Sequence, residues 1–266
     1  MKQVPEADSV KMNPDTGTIM REGVSSILNP FCEYAMDEAC RIRDMMNEDV
    51  EIIAVSMGPP QARSALFRCL ELGADGAILL SNRCFAGSDC WATAMVLERC
   101  IKNCIGGYDL ILTGKQAIDG DTAQVPAELA ERLGIPQITG CSRIDIVGNK
   151  LLATREIESG SQVVRVTRPA LISIGRGSNL RRLPSMADFL SAMVKEIIEL
   201  GARDLDLDEE EIGLRGSHTQ VIKVFAPSRK KVGVIVDGTD PEKAALLLMK
   251  FLDEKGFEPR RVGEKC

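Results

Sequence analysis

The segment of the sequence that most resembles a binding site is a loop of small and polar residues between an apolar run and a helical run. The apolar run is Tyr108 to Leu112, the loop is rich in turn-forming residues from Thr113 to Asp121, and the helical run is Val125 to Leu133. Because Pro126 is tolerated only in the first turn of a helix, the helix must begin close to Val125. A helix that opens just after a parallel strand has unpaired backbone N–H groups at the positive end of its dipole. Such groups can bind a phosphate or pyrophosphate, so this loop is a candidate nucleotide site.

The same loop also fits an ordinary connection between a strand and a helix, since such turns are abundant in α/β domains. Two carboxylates, Asp119 and Asp121, would repel a phosphate unless they point away, cap the helix or bind ribose hydroxyls. The sequence contains neither the GxGxxG fingerprint nor a P-loop, and Gly175-Arg-Gly177 continues as neither motif. From the residues alone, both interpretations stay open.

Composition argues against several other classes of function. The 266 residues are 44% hydrophobic and 27% charged, as in ordinary folded proteins. No run approaches the roughly 18 apolar residues of a membrane span, and no secretory signal begins the chain, so we expect a cytoplasmic protein without membrane insertion. The net charge of −6 argues against nucleic-acid binding, and the basic cluster of Arg176, Arg181 and Arg182 is only local.

Nine cysteines and a single histidine, His218, also limit the possible chemistry. In a cytoplasmic protein the cysteines are expected to be free thiols. No CxxC pair occurs, so we expect no metal centre, and no nucleophile motif surrounds His218. We expect His218 to lie at the surface or at an interface.

Strand-like and helical runs alternate in the first half of the chain, which predicts an α/β fold with a parallel sheet and helices on both faces. The predicted elements are Phe31 to Met46 (helix), Val50 to Val55 (strand), Gln61 to Leu72 (helix), Ala77 to Leu80 (strand), Asp89 to Asn103 (helix), Tyr108 to Leu112 (strand) and Val125 to Leu133 (helix). Ligands of such sheets bind at the carboxyl ends of the strands.

After Pro136 the pattern changes to antiparallel strands joined by turn residues. The predicted elements are Gly140 to Val147, Lys150 to Ile157, Val163 to Val166 and Pro169 to Ile174 (strands), Leu190 to Leu200 (helix), Asp204 to Ile212 (solvated acidic segment), Lys231 to Val236 (strand) and a helix capped by Asp240 that runs to Lys255. We predict a main domain over residues 1–200 and a C-terminal extension over residues 201–266.

Five blocks occur in a fixed order along the chain: Lys2-Gln-Val-Pro5, Asn29-Pro-Phe-Cys-Glu33, Val55-Ser-Met-Gly-Pro59, the loop from Gly114 to Gln124, and Arg155-Glu-Ile-Glu158 with Gln162 and Pro169-Ala-Leu-Ile172. Together they resemble the beta subunit of electron-transfer flavoproteins, which are heterodimeric flavin electron carriers. The resemblance implies a three-layer, Rossmann-like parallel sheet of the adenine-nucleotide alpha-hydrolase type, with an antiparallel hairpin addition and a C-terminal arm. The apolar stretch Ala244 to Met249 is then expected to contact the alpha subunit.

The resemblance also implies a bound nucleotide cofactor and no catalytic acid, base, nucleophile or metal, since a flavin carries the redox chemistry itself. The implied binding residues are Asn29, Phe31, Cys32, Met57, Gly58, Gly114, Asp119, Gly120, Asp121, Thr122, Ala123, Gln124 and Val125. Asn29 can bind an adenine edge or ribose, and the two sulfur side chains offer apolar contact. Helix capping by Asn29 and core packing of Cys32 and Met57 are the alternatives. Lys115 either steadies negative charge on the flavin or is a solvated loop residue.

Two cofactors are compatible with the resemblance. The form of residues 119–125 is similar to electron-bifurcating members, which hold FAD in the beta subunit and accept electrons from NADH; the alternative is structural AMP. The implied partners are an alpha subunit, a flavin-dependent dehydrogenase, and ferredoxin or flavodoxin. An ATP-binding regulatory module of the ATP-pyrophosphatase or universal-stress type is a rival that shares the architecture.

The segment Leu180-Arg-Arg-Leu-Pro-Ser-Met186 resembles the family's recognition loop, in which a leucine anchors the carrier on its dehydrogenase. Leu183 is the matching position, and the neighbouring Arg182 is expected to aid the encounter. The alternative is that Leu183 simply packs under Pro184.

Three positions depart from the family pattern. An apolar strand normally precedes the Lys2 block, whereas here only Met1 stands before it, so we expect an open sheet edge. Pro126-Ala127 replaces the usual Gly-Pro, which affects the first turn of the helix. Ser159 replaces a glycine or acidic residue in the hairpin turn.

Overall fold

The computed structural model describes residues 1–6, 11–12, 19–20, 25–46, 49–176, 182–222 and 235–257, with the backbone alone at 11–12 and 19–20. The strands in this part of the chain are β1 (Gln3–Pro5), β2 (Lys11–Met12), β3 (Ile19–Met20), β4 (Ser26–Leu28), β5 (Ile53–Met57), β6 (Gly76–Leu80), β7 (Leu110–Gly114), β8 (Gln137–Val147), β9 (Lys150–Ile157), β10 (Gly160–Thr167), β11 (Ala170–Ile174) and β12 (Ile197–Leu200). The helices are α1 (Pro30–Met45), α2 (Arg63–Leu72), α3 (Cys90–Cys100), α4 (Val125–Leu133), α5 (Met186–Val194), α6 (Gly213–Gly216) and α7 (Pro241–Glu254). Contacts divide the chain into two units, Met1–Val224 and Phe225–Cys266.

The parallel strands of the first unit lie in two sheets. One sheet has the order β12-β6-β5, and both of its pairings are parallel. The other has the order β10-β9-β8-β11-β7; β11 pairs in parallel with β7 and β8, while β8, β9 and β10 pair antiparallel. The predicted α/β class with an antiparallel addition is therefore confirmed.

Alternate residues of the central strands pack against helices on opposite faces. On β6, Leu79 packs with residues of α1 and α2, whereas Leu80 packs with residues of α3. On β11, Ile172 faces the cluster that contains α1 residues, and Leu171 faces α3 and α4. All four side chains are fully buried, and each such burial stabilises the fold by about 1.5–3 kcal/mol. This two-sided packing explains why these strands read as continuous apolar runs.

The first residues of the chain contact strand β5 and the loop that follows β7, where Lys2 pairs with Asp119. The Met1 ammonium donates a hydrogen bond to the Val55 carbonyl at 2.6 Å, and Met1 packs against two of the core clusters. β1 pairs antiparallel with β4. β5 and β7 each lie at the edge of their sheets.

Several helices begin or end where the sequence predicts, because residues at their own termini restrict the backbone or cap the helix. Helix α4 has the predicted bounds: Pro126 lies in its first turn and Gly134 is left-handed at its C-cap. The Asp240 side chain caps α7 by accepting from the Lys243 N–H at 3.2 Å. β5 and β7 begin later than predicted, and α3 ends at Cys100, followed by a π-helical turn over Ile101–Ile105.

Two sequence-based assignments are wrong. The predicted helix over Leu190 to Leu200 stops at Val194, and Ile197–Leu200 forms a strand that pairs in parallel with β6. The predicted solvated segment from Asp204 to Ile212 is anchored in the core by Leu205 and Ile212, which are both buried. Residues 231–234 of the predicted late strand lie outside the described residues, and 235–236 have no strand assignment.

The second unit contributes α7, whose apolar side chains are exposed in the isolated chain. They are Leu246, Leu247, Leu248, Met249 and Phe251. Among the helices of the described ranges, none has the length and apolar character required to cross a membrane.

Candidate functional site

The carboxyl end of β7 lies against the start of α1, and a glycine makes this approach possible. A Cβ atom on Gly114 would stand 2.8 Å from the carbonyl carbon of Phe31 and 3.0 Å from the backbone nitrogen of Cys32. Real Cβ contacts are not that short, so any larger residue at position 114 would displace the helix. The two predicted segments at Gly114 and at Asn29 to Glu33 are therefore brought together.

Asn29 ties α1 to the loop that follows β7. The side chain is 1% exposed; its Nδ2 donates to the Gln116 carbonyl at 2.8 Å, and its Oδ1 accepts from the Ile118 N–H at 3.3 Å. Asn29 occupies the N-cap position of α1, yet its side chain makes no capping hydrogen bond. Both ends of the amide thus bind protein groups and fix the loop, a role that the residue type alone did not reveal.

We call residues 115–124 the nucleotide loop. Its two carboxylates are already held by the protein: Asp119 accepts from Lys2 Nζ and from the Gly120 N–H, at 2.7 and 2.8 Å. Asp121 accepts from the Gln116 side chain, and its own N–H donates to the Ala117 carbonyl at 2.9 Å. The charges that argued against a phosphate are thereby oriented and partly neutralised within the loop.

The end of the nucleotide loop presents backbone donors at the start of α4. Asp121 and Ala123 have φ values of 54° and 55°, a left-handed conformation that is costly for residues with a Cβ. The hydrogen-bond ladder of α4 begins with the Glu128 N–H donating to the Gln124 carbonyl at 3.1 Å. The N–H groups of Val125 and Ala127 precede that ladder, and the positive end of the helix dipole lies beside them. Residues 119–124 are exposed to solvent, whereas Val125 and Ala127 are partly buried.

A cleft of about 890 Å³ opens beside the nucleotide loop. Phe31 and Lys115 line it from one side, and Arg155, on hairpin strand β9, and Arg176, after β11, also contribute to its walls. Aromatic and cationic groups together suit a planar or anionic ligand. The sequence had marked the hairpin block around Arg155 without giving it a role, because only the fold places β9 next to the loop.

Met57 and Gly58 lie at the end of β5, in the other sheet. The N-terminal segment links the turn that follows them to the loop region: Gln3 Nε2 donates to the Gln61 carbonyl at 2.9 Å, and the adjacent Lys2 binds Asp119. Cys32 is 5% exposed and belongs to a core cluster, and Met57 packs at the rim of another. Core packing is therefore part of the role of both sulfur side chains.

The N-terminus of α3 also contacts the nucleotide loop. Cys90 Sγ lies 3.1 Å from Thr122 Oγ1, and the preceding residue, Asp89, caps α3 through the Ala92 N–H at 3.1 Å. Asp89 also accepts from the N–H and hydroxyl of Thr219. Partial desolvation disfavours the charge on Asp89, but the hydrogen bonds from Ala92 and Thr219 outweigh it and lower the pKa of this carboxyl.

The pKa of Glu128, in the first turn of α4, is shifted in the opposite direction from that of Asp89. Desolvation by burial raises the pKa of its carboxyl, and the nearby negative charge of Asp89 raises it further. Its Oε2 atom is buried without a hydrogen-bond partner. His218, which stacks on Trp91 with ring centroids 5.2 Å apart, and Arg132 both act to lower the pKa of Glu128.

We call residues 182–194 the docking segment. Leu183 is 82% exposed, so it does not pack under Pro184. The neighbouring Arg182 is held on α1, where its N–H donates to Asp37 Oδ1 at 3.1 Å and its guanidinium pairs with Asp44 at 3.3 Å. Arg181 and the glycine at position 177 lie outside the described residues.

Known proteins are similar to this chain over most of its length. The chain matches the Electron transfer flavoprotein domain over residues 16–204. It is 42% identical over 252 residues to the Electron transfer flavoprotein subunit beta of Thermoanaerobacterium thermosaccharolyticum, covering 94% of this chain and 95% of the relative. It is also 42% identical over 254 residues to the Caffeyl-CoA reductase-Etf complex subunit CarD of Acetobacterium woodii, covering 96% of each. A third relative, Protein FixA of Bradyrhizobium diazoefficiens, is 38% identical over 266 residues, covering 97% of this chain and 92% of the relative. The predicted resemblance is confirmed: this chain belongs to the electron transfer flavoprotein family, as a small beta subunit that takes part in electron transfer.

Proposed function

We propose that the nucleotide loop of this subunit binds FAD and that the chain, paired with an alpha subunit, passes electrons from NADH to two acceptors. The observation that carries the proposal is the loop itself. Its carboxylates are engaged by Lys2 and Gln116, while the hydrogen-bond ladder of α4 begins only at the Glu128 N–H, so the N–H groups of Val125 and Ala127 precede it. A diphosphate needs such donors and would be repelled by unpaired carboxylates.

The rest of the site is compatible with a flavin. The cleft beside Phe31 has a volume of about 890 Å³, which is within the usual range for cofactor pockets of about 300–1,000 Å³. Its cationic side chains, Lys115, Arg155 and Arg176, can favour negative charge near the cofactor. When bound, FAD supplies hydride acceptance and one-electron transfer; this chain's own residues bind and orient it and provide no acid, base or nucleophile.

The proposed route is flavin-based electron bifurcation in the cytoplasm. One electron goes toward the alpha subunit and a partner flavin dehydrogenase, and the other goes to ferredoxin or flavodoxin. Two features support this: the Asp-Gly-Asp-Thr-Ala-Gln-Val sequence of residues 119–125, and the similarity to a subunit of a caffeyl-CoA reductase-Etf complex. The alternative is a non-bifurcating carrier with AMP in the same loop, since backbone donors would also bind its phosphate. An ATP-binding regulatory module is supported only by the shared architecture.

The experiment is an anaerobic assay of the heterodimer with its partner dehydrogenase, NADH, the dehydrogenase's high-potential acceptor and ferredoxin. Bifurcation predicts that ferredoxin reduction by NADH requires the dehydrogenase and its acceptor, because the downhill electron drives the uphill one. The control omits the acceptor and should abolish ferredoxin reduction. Oxidation of NADH without any ferredoxin reduction in the complete mixture would show that the carrier does not bifurcate.

A further inference from the structure

The exposed Leu183 is held between two fixed points of the backbone. On one side, the Arg182 N–H donates to Asp37 Oδ1 at 3.1 Å. On the other side, Ser185 caps α5 in a reciprocal capping box: its hydroxyl accepts from the Asp188 N–H at 3.2 Å, and the Asp188 carboxylate accepts from the Ser185 N–H at 2.8 Å. Only Leu183 and Pro184 lie between these points, so the leucine has little freedom.

The helix that follows is itself fixed to the body of the first unit. Phe189 packs edge-to-face on Phe67 of α2 with ring centroids 5.8 Å apart, and Ala192 is 1% exposed. Lys195 Nζ donates to the Ala74 carbonyl at 2.7 Å. We call the two backbone anchors on either side of Leu183, at Arg182 and at Ser185, the clamp. The Ser185 anchor belongs to a helix that is packed on the first unit, and the hydrogen bond to Asp37 fixes the Arg182 anchor.

The two carboxylates of α1 that contact Arg182 differ in burial and in what they hold. Asp37 is 6% exposed and binds the backbone N–H, whereas the Asp44 side chain is 59% exposed and binds the guanidinium. An exposed ion pair contributes little to order, because water and salt screen it. A charge-assisted bond from a buried carboxylate to a backbone N–H is stronger, and it fixes the main chain.

We propose that Asp37 is a positioning residue for partner docking: it holds the Arg182 backbone on α1 and so keeps Leu183 in the orientation that enters the dehydrogenase. This inference rests on the proposed docking role of Leu183. When an anchor is already ordered, part of the entropy cost of association is removed. Loss of the Asp37 contact should therefore weaken docking while the rate of electron transfer within the docked complex stays unchanged.

The test uses the heterodimer with its alpha subunit and, as probe, an acyl-CoA dehydrogenase that the wild-type heterodimer reduces. Asp37→Ala should raise the KM for the carrier about fivefold at unchanged kcat, with unchanged nucleotide content. Hydrogen exchange should rise in the peptide that spans residues 182–189. Asp37→Asn, which retains an acceptor oxygen, should restore most of the wild-type KM. Asp44→Ala is the matched control on the same helix and should stay within about twofold of wild type.

A double-mutant cycle separates positioning from general stability. In a Leu183→Ala background, Asp37→Ala should cause no further rise in KM, because the anchor that it positions is gone. If Asp37→Ala leaves the KM unchanged, or if its effect persists in full in the Leu183→Ala background, Asp37 does not act through Leu183. If Leu183→Ala itself has no effect, the docking role of the leucine fails instead. Should Asp37→Ala not fold, Arg182→Pro removes the same N–H without altering α1, and Arg182→Ala is its control; equal KM values for these two variants would overturn the proposal.

Discussion

The nucleotide loop and the docking segment differ in which groups are exposed and which are held by hydrogen bonds. In the nucleotide loop, residues 119–124 are exposed, and the carboxylates accept hydrogen bonds: Asp119 from Lys2 and Asp121 from Gln116 of the same loop. In the docking segment several large apolar side chains are exposed, among them Leu183, Met186 and Val194, and the backbone is anchored at Arg182 and Ser185. In one region polar side chains are held while main-chain N–H groups precede the ladder of α4, and in the other the main chain is held while an apolar side chain is exposed.

Under the proposed function, this difference suits two kinds of ligand. A phosphate group needs oriented N–H donors and little apolar contact. A protein partner gains most from an apolar anchor in a pre-ordered setting, with the surrounding contacts contributing less. In both regions α1 supplies the support, through Asn29 at its N-terminus and through Asp37 further along the helix.

The largest effect is expected from Asn29→Ala. This change removes the buried amide that binds the Gln116 carbonyl and the Ile118 N–H, and it leaves both groups without that partner at a partly buried site. Each unsatisfied group costs about 1–3 kcal/mol, so we expect a loss of about 3 kcal/mol in the free energy of unfolding and loss of the bound nucleotide. Thermal unfolding and nucleotide content after gel filtration measure the two effects. Docking to the dehydrogenase by the folded fraction should be retained; impaired docking at normal nucleotide content would mean that the two regions are not separate.

Leu183→Ala tests the other side of the comparison. Truncating an interface anchor commonly costs about 2 kcal/mol, which corresponds to roughly thirtyfold in affinity. Because Leu183 is 82% exposed in the chain, stability should not change. Stopped-flow electron transfer at limiting dehydrogenase concentration is the measurement, with NADH oxidation by the heterodimer alone as the control. Transfer rates equal to those of the wild type would show that this segment does not dock the dehydrogenase.

A smaller effect is expected from Glu128→Gln, at the base of the nucleotide loop. Burial and the nearby Asp89 raise the pKa of Glu128 in the folded chain above its ordinary value of 4.5. The protonated form is therefore favoured on folding: its stabilising contribution is complete below about pH 4.5 and is lost as the pH rises through the raised pKa. At neutral pH the substitution should stabilise the chain by less than about 1 kcal/mol, and the gain should vanish in acid. Chemical denaturation at pH 4 and pH 7 measures this; equal gains at both values would assign the effect to packing rather than charge.

Where end signals are local, the sequence predicts this fold well. Pro126 and Gly134 define α4, and the turn Gly148-Asn149 defines the start of β9, because these residues restrict the backbone whatever surrounds them. The segment Ile197–Leu200 was assigned to a helix since its apolar residues continue the pattern of the preceding run. It is a strand because β6 offers a parallel edge more than a hundred residues earlier in the chain, which no local pattern reveals.

In the candidate site, the sequence indicates segments that can meet but not the contacts that hold them together. The sequence predicts that Asn29, Met57 and the loop after β7 can meet at one end of the sheet. The structure brings Asn29 and the loop into contact, whereas Met57 lies on a strand of the other sheet. The sequence did not indicate that both ends of the Asn29 amide hydrogen-bond to the loop, or that the absence of a Cβ at Gly114 allows the start of α1 to approach. Nor did it indicate that Asp37 accepts a hydrogen bond from the Arg182 N–H. Each of these depends on a contact between residues distant in sequence. The assignment of individual side chains to the cofactor stays a prediction.

The most direct test of the central claim, that residues 115–124 bind FAD in this subunit, is the count of FAD and AMP in the purified heterodimer. The measurement compares wild type with a variant in which Asp121 and Thr122 are both replaced by leucine, so that bulky side chains stand beside the N–H donors of α4. Wild type should contain two FAD and no AMP per heterodimer, and the variant should keep only the FAD of the alpha subunit. One FAD with one AMP in wild type would assign AMP to the loop, and unchanged total nucleotide content in the variant would contradict the site itself.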